Sequence, residues 1–282
     1  MVESNGTARW EVQHGCWTGA CSQGDREAHG NPDDDDHARA DGGSAAFSSD
    51  GRFLWAHVLG PLSGALGTEA EQEEDEEEPE LWVVLDARNG QVLGRSETMT
   101  TASSSEHTPH PDPTQMGLSV GEGEEGSPVL WGRWDGAELT TRHLGIERIL
   151  LDVSPAGRHL LTVPVGQWSL ALHDVQDGSV QQKLEAAGIV PEHPENTDGG
   201  RVYWDYEAAF LYEDTIIAGT SECDAPYGTI RHWVVNARQM SLSTEITYPF
   251  PVWGPPRSAG DGVWYTVSKE GAEVHLWQLT QE

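Results

Sequence analysis

Ala45-Ala-Phe-Ser-Ser-Asp-Gly-Arg-Phe-Leu-Trp55 and Leu81-Trp-Val-Val-Leu-Asp-Ala-Arg-Asn-Gly-Gln-Val-Leu93 each read as an apolar run, a turn and a second apolar run. The first turns at Ser-Asp-Gly and the second at Asn89-Gly90. Asn-Gly predicts a two-residue hairpin turn, because both central positions then take positive φ, which glycine adopts freely and asparagine tolerates. Four short strands in antiparallel succession make one sheet. Such a sheet has two faces to cover, so it must stack on copies of itself.

The copies are in the chain. Val153-Ser-Pro-Ala-Gly-Arg-His-Leu-Leu161 repeats Phe47-Ser-Ser-Asp-Gly-Arg-Phe-Leu-Trp55 at an offset of 106 residues, two units of about 53. Ala208-Ala209-Phe210 repeats Ala45-Ala46-Phe47 at an offset of 163, three units of about 54. The second hairpin is echoed by Leu130-Trp131, Ser169–Leu172, His232–Val235 and Leu276-Trp277, with turns at Asp135-Gly136, Asp177-Gly178 and Arg238-Gln239 after the first three. The last copy stops at Leu279-Thr280, before an outermost strand, while Ala8-Arg-Trp-Glu-Val12 stands alone at the other end.

Repeats of this length and make-up resemble the β-propeller families of the WD-repeat-like kind over nearly the whole chain. The resemblance implies an all-β fold of five four-stranded blades, closed by Ala8–Val12 as the outer strand of the last. The count becomes six or seven if 101–128 and 185–204 hide further strands. Trp134-Asp135 and Trp204-Asp205 are expected to lie away from the end of a third strand, and no Gly-His dipeptide leads the repeats. The family's hydrogen-bonded tetrad is therefore carried over to no residue, and the resemblance is to a divergent propeller.

At 282 residues a closed all-β architecture forms a single domain, 1–282. Counted with glycine and without tyrosine, the apolar fraction is about 46%, ordinary for a globular protein. The 12 Trp against 4 Phe read chiefly as packing anchors between blades. Net charge is −31, and removing the thirteen charges of Asp33–Asp36 and Glu69–Glu80 leaves −18. An acidic body weighs against nucleic-acid and anionic-membrane partners, which are held by Lys and Arg. The two acidic insertions, at about 31–43 and 66–80, read as solvated loops, and neither has an EF-hand pattern. The three cysteines (Cys16, Cys21, Cys223) form no disulfide framework, and no signal peptide or membrane-spanning run is visible, so a reducing cytoplasm is expected.

Little in the sequence bears chemistry. His107-x-x-His110-x-Asp112 places metal-capable side chains on the proline-punctuated stretch 99–115, expected to be an extended loop, but a third strong ligand would have to come from elsewhere. His14, Cys16 and Cys21 lack the spacing of a zinc knuckle, and Cys223 between carboxylates is a poor thiolate. No metal or other cofactor is assigned. Five-bladed propellers include glycosidases, for which Asp152, Asp205, Glu207, Glu222 and Asp224 are the available carboxylates. The expected function is a non-catalytic scaffold for a protein or peptide partner. Its binding surface is expected on the face bearing the inter-blade and second-to-third-strand connections, with His107, His110, Asp112, Trp204, Asp205, Tyr206, Glu222, Tyr227 and Trp253 as binding residues. The alternative is a glycan or small-molecule binder, extending to a glycoside hydrolase, working through the central funnel.

Overall fold

A computed structural model describes residues 9–15, 43–62, 79–100, 102, 104–122, 127–193, 201–222, 231–268, 271 and 273–279. The cysteines, Tyr227, Asp33–Asp36 and the tract 69–78 lie outside the described residues, as does the side chain of Glu222. The chain divides into two compact units, Met1–Leu144 and Gly145–Glu282. Every sheet in them is antiparallel and follows chain order, each strand beside the next.

Sheet 1 consists of β1 (Ser44–Phe47), β2 (Phe53–Leu59), β3 (Glu80–Asp86) and β4 (Val92–Glu97). Sheet 2 consists of β5 (Ser104–Pro109), β6 (Gln115–Gly121), β7 (Pro128–Trp134) and β8 (Leu139–Glu147). Period-two alternation in β2 and β3 sends Trp55, Trp82 and Val84 to one side, where they pack with Met116, Leu118, Leu130 and Trp134 of sheet 2. Ala56, Val58, Leu81, Val83 and Leu85 point to the other side, with Val12 against them. Both faces are therefore covered, and β3 is buried along almost its whole length.

In the second unit, sheet 3 is β9 (Ile149–Val153), β10 (His159–Val163), β11 (Ser169–Asp174) and β12 (Val180–Glu185). Sheet 4 is β13 (Val202–Tyr212), β14 (Thr215–Glu222), β15 (Arg231–Asn236) and β16 (Ser241–Glu245). Sheet 5 has three strands among the described residues: β17 (Trp253–Gly260), β18 (Val263–Val267) and β19 (Val274–Gln278). Leu161, Leu170 and Leu172 pack with Trp204, Phe210, Ile216 and Trp233 to join sheets 3 and 4. Ile217 and Leu211 pack with Trp264 and Trp277 to join sheets 4 and 5.

Two local devices repeat. In the first hairpins of sheets 1 and 3, a Ser-x-x-Gly turn closes on itself: Gly51 N–H donates to Ser48 O (2.8 Å) and Gly157 N–H to Ser154 O (2.7 Å). The serine hydroxyl also accepts from the amide of the next strand's first residue, Phe53 or His159. The second hairpin differs from the Asn-Gly expectation. Gly90 alone is in the left-handed region (φ 73°), and its N–H reaches back to Asp86 O at 2.8 Å while Asp86 N–H donates to Gln91 O. The connection is a longer turn in which Asp86 Oδ1 accepts the Arg88 amide at 2.7 Å. Asp174–Ser179 repeats it, and Asn236–Ser241 carries a related form with Met240 (φ 42°) in glycine's place.

Three expectations change. The stretch 99–115 contains a strand, β5, because Pro109 stands at its last position and interrupts no ladder. Trp134 is the last residue of β7, the third strand of sheet 2, so Trp134-Asp135 does stand at the end of a third strand. The segment expected to close the last blade is bound to sheet 1: Gly15 N–H donates to Leu59 O, Trp10 Nε1–H to Ala87 O, and Val12 packs on the sheet's outer face.

Candidate binding surface

β13 is eleven residues long, and its register against β14 breaks between Trp204 and Ala208. Such a break turns side chains out of the ladder. Trp204 itself is fully buried, with its indole N–H donating to Leu184 O at 3.1 Å and its amide to Gln167 O at 2.9 Å. Those bonds fix the start of β13 against β12 and the β10–β11 turn, Pro164–Trp168. Tyr206, 46% exposed, then lies over that turn and donates its hydroxyl to Val165 O at 2.7 Å. Val165 and Trp168 are each 55% exposed. The Trp168 ring lies over the Gly166 backbone, where an added Cβ would stand 1.9 Å from it, so a larger residue there would displace the exposed ring.

The remaining residues of the break are engaged. Glu207 takes a two-pronged pair of hydrogen bonds from Arg257 of β17, both 2.8 Å. The Glu207 hydrogen bonds hold the Arg257 pKa above its usual value. Asp205 folds over Gly219, where a Cβ would be 2.2 Å from its Oδ2. Trp253 opens β17 opposite Val267 and is 40% exposed.

The histidine stretch lies elsewhere. His110 is buried, edge-on to Trp131 at 5.5 Å, and its Nδ1 accepts the Asp112 amide at 2.9 Å. Asp112 accepts from the Thr114 amide and hydroxyl and from Gln115 Nε2. Burial pushes its carboxyl up, but these bonds outweigh it and hold the pKa below the ordinary value. This is the first turn of sheet 2, beside the Ser48–Gly51 turn, with Ser49 Oγ donating to Pro111 O at 3.0 Å. His110 and Asp112 are therefore at the short-turn end of their sheet, opposite to the expected one, with a structural task.

His107 is inside β5. Trp82 Nε1–H can only donate, so His107 Nε2 accepts it at 2.9 Å and Nδ1 carries the ring proton. Nδ1–H then donates to Ser44 Oγ at 2.7 Å. A serine that accepts from its histidine is not activated for attack, so the pair is no nucleophile. Burial, with His57 adding to it, pulls the His107 pKa down to about 3. Close by, Glu80 accepts from Thr100 Oγ1 (2.7 Å) and the Ala102 amide (2.5 Å), with His57 Nε2 at 3.3 Å. Burial lowers the His57 pKa against the pull of Glu80. Among the described residues no three His, Cys, Asp or Glu side chains converge to hold a metal ion.

Two further relays stitch the second unit. Arg148 Nε–H donates to Thr162 Oγ1, which donates to His173 Nε2, whose Nδ1–H donates to Gly178 O. Trp264 Nε1–H donates to Tyr248 Oη, which donates to His232 Nδ1, whose Nε2–H donates to Gly254 O. Burial takes His232 down to about 4 and Tyr248 up to about 12. Asp152, pushed up to about 6 by burial, accepts the Phe210 and Val153 amides and clips β9 to β13. Of the carboxylates considered for glycoside hydrolysis, Asp152 and Glu207 are thus tied into the framework.

No family model matches the chain, and no curated protein does. Solved structures do. The β-propeller domain of the Trilobed protease from Pyrococcus furiosus superimposes with a TM-score of 0.50 at 11% identity, over 86% of this chain and 70% of that one. The fold is a divergent β-propeller. Kuenenia stuttgartiensis hydrazine synthase gives a TM-score of 0.50 at 10% identity, over 79% of this chain and 54% of its own. The β-propeller domain of Myceliophteria thermophila Cps50 (Swd1) gives 0.37 at 11%, over 84% and 83%. At such identities the likeness concerns the fold alone. In propeller terms, each sheet is a blade, and β9, β13 and β17 are the first strands of theirs.

Trp168, Val165 and Arg257 were not singled out from the sequence. The signal available was Val-Gly-Gln-Trp, a large aromatic at the tip of a tight turn between two buried strands.

Proposed function

We propose that this propeller is a non-catalytic, cytoplasmic scaffold that binds a protein or peptide on the surface formed by Val165, Trp168 and Tyr206. One observation carries the reading: Val165 and Trp168 stand exposed on a turn held by hydrogen bonds from the Tyr206 hydroxyl and the Trp204 amide, with exposed Tyr206 of β13 beside them. Rigid Tyr and Trp side chains lose little freedom on binding, and such residues dominate interface energies. Truncating either should cost about 2 kcal/mol, roughly thirty-fold in Kd.

The test is a selection from a displayed random-peptide library, followed by titration of the selected peptides against Trp168→Ala and Tyr206→Ala. Loss of affinity in both variants with an unchanged melting temperature supports the surface. Peptides that bind both variants as tightly as the parent would place recognition elsewhere. A glycan occupant is the second reading, because flat exposed rings such as Trp168 and Trp253 also suit sugar faces. It would show as a glycan-array signal lost in Trp168→Ala.

A further inference from the structure

β19 is the third strand of its sheet, the position that β3, β7, β11 and β15 hold in theirs. Each of those four is covered by a fourth strand, whereas β19 ends its sheet among the described residues. It also lacks the devices that make a sheet edge unattractive: a Lys or Arg, a Pro, or a bulge. The outer strands of the other sheets have them. β4, β12 and β16 pair with register shifts, and β4, β8 and β12 carry Arg95, Arg142 and Lys183. β19 pairs with β18 in unbroken register from Val267↔Val274 to Val263↔Gln278. On its outward face Val274 and Leu276 are 63% and 69% exposed, alternating with half-buried His275 and Trp277.

We propose that the open edge of β19 takes up an extended strand of a partner protein, apolar at alternate positions and flanked by Lys or Arg. Main-chain hydrogen bonds along the edge supply the affinity, and side chains beside Val274 and Leu276 supply the preference for alternate apolar residues. Charge sets the flanks. Residues 268–282 contain three Glu against one Lys and no Arg, in a chain of net charge −31. A second copy brings the same charge and is repelled, and a basic strand is attracted. This edge is separate from the surface at Tyr206, so either proposal can fail alone.

The probe is the capped peptide Arg-Thr-Val-Thr-Val-Thr-Arg, titrated against the full chain. Saturating peptide should slow amide exchange within Val274–Gln278, and Val274→Lys/Leu276→Lys should weaken binding at least ten-fold. N-methylation of the alternate peptide amides that face β19 should abolish binding, while methylation of the others should spare it. Trp168→Ala should change nothing. The proposal fails if exchange at 274–278 is unaffected by the peptide. It fails too if those amides are slow in the free chain and become fast on deleting residues 1–8, because the protein's own N-terminal segment then fills the edge. A dimer in ultracentrifugation that Leu276→Lys dissociates would likewise assign the edge to a second copy.

Discussion

Gly132 of β7 faces two tryptophans that have nowhere to go. A Cβ at this position would stand 2.7 Å from Trp55 Cζ3 and 2.9 Å from Cζ3 and Cη2 of Trp82. Ordinary carbon contacts are about 3.5–4.0 Å, so the rings would have to retreat by about 0.7 Å or more. Both are fully buried with centroids 5.4 Å apart, and Trp82 is tethered to His107. Overpacking of this kind costs about 1–3 kcal/mol. The Gly132→Ala change also removes about 0.4–1 kcal/mol of unfolded-chain entropy, which offsets part of that. The net expectation is a loss of about 1–2 kcal/mol, or roughly 2–6 °C in Tm. Thermal and urea unfolding followed by tryptophan fluorescence measure it. Trp55→Phe removes the nearest ring atom, and Trp55 Nε1–H has no hydrogen-bond acceptor among the described residues, so that change severs no bond of its own. In its background the cost of Gly132→Ala should fall by at least half. A Gly132→Ala protein as stable as the parent, or costs that simply add in the double variant, would refute the packing argument.

Tyr248→Phe breaks the relay from Trp264 to His232 and leaves two buried groups without their partner; a loss of about 1–3 kcal/mol is expected in urea unfolding. His107 (about 3) and His232 (about 4) stay neutral in the folded chain while their unfolded forms take up protons near pH 6.5. Stability from these two groups is therefore full above about pH 6.5 and lost as pH falls toward 4 and 3, which unfolding at pH 7 and 4.5 will show. Asp152 works in the opposite sense. Its folded pKa, about 6, lies above the unfolded value near 3.9, so its contribution is full below that value and is lost as pH rises through 6; the advantage of Asp152→Asn, if its amide keeps the Phe210 bond, should grow over that window. Glu207→Gln at the exposed Arg257 pair should change stability by only about 0–1 kcal/mol.

The architecture was legible because it is local. Ser48–Gly51 and Ser154–Gly157 declare the same turn, and the unbroken apolar run Leu81–Leu85 declares a strand buried on both faces. What stayed hidden is long-range. β5 reads Ser-Ser-Glu-His-Thr-Pro, with no apolar alternation, because it meets β1 through polar contacts of Ser105 and His107 with Ser44. Asn89-Gly90 misled because the residue that shapes its turn, Asp86, lies three positions earlier. Trp204 looked like a binding residue and is core, while its neighbour Tyr206 is exposed. Alternation along a regular strand would put both on one face; the register break after Trp204 separates them, and it is set by partners that the sequence does not name.

The turn built on Asp86 and Asp174 has a consequence for how such a chain can grow. Its bonds join residues within a few positions of one another, apart from one amide that reaches the preceding strand: Ala87 to Arg52 and Val175 to Arg158. A stretch of DNA encoding one blade therefore carries its own alignment instructions, and a duplicated copy folds its hairpins without help from the donor's neighbours. Drift can then rewrite the surfaces between blades while six positions, Asp86–Gln91 or Asp174–Ser179, hold the strands of sheets 1 and 3 in step. The spacing Asp/Asn-x-x-x-Gly, with Met240 as a tolerated departure, is thus the trace by which related blades can be searched for when overall identity has faded to about a tenth.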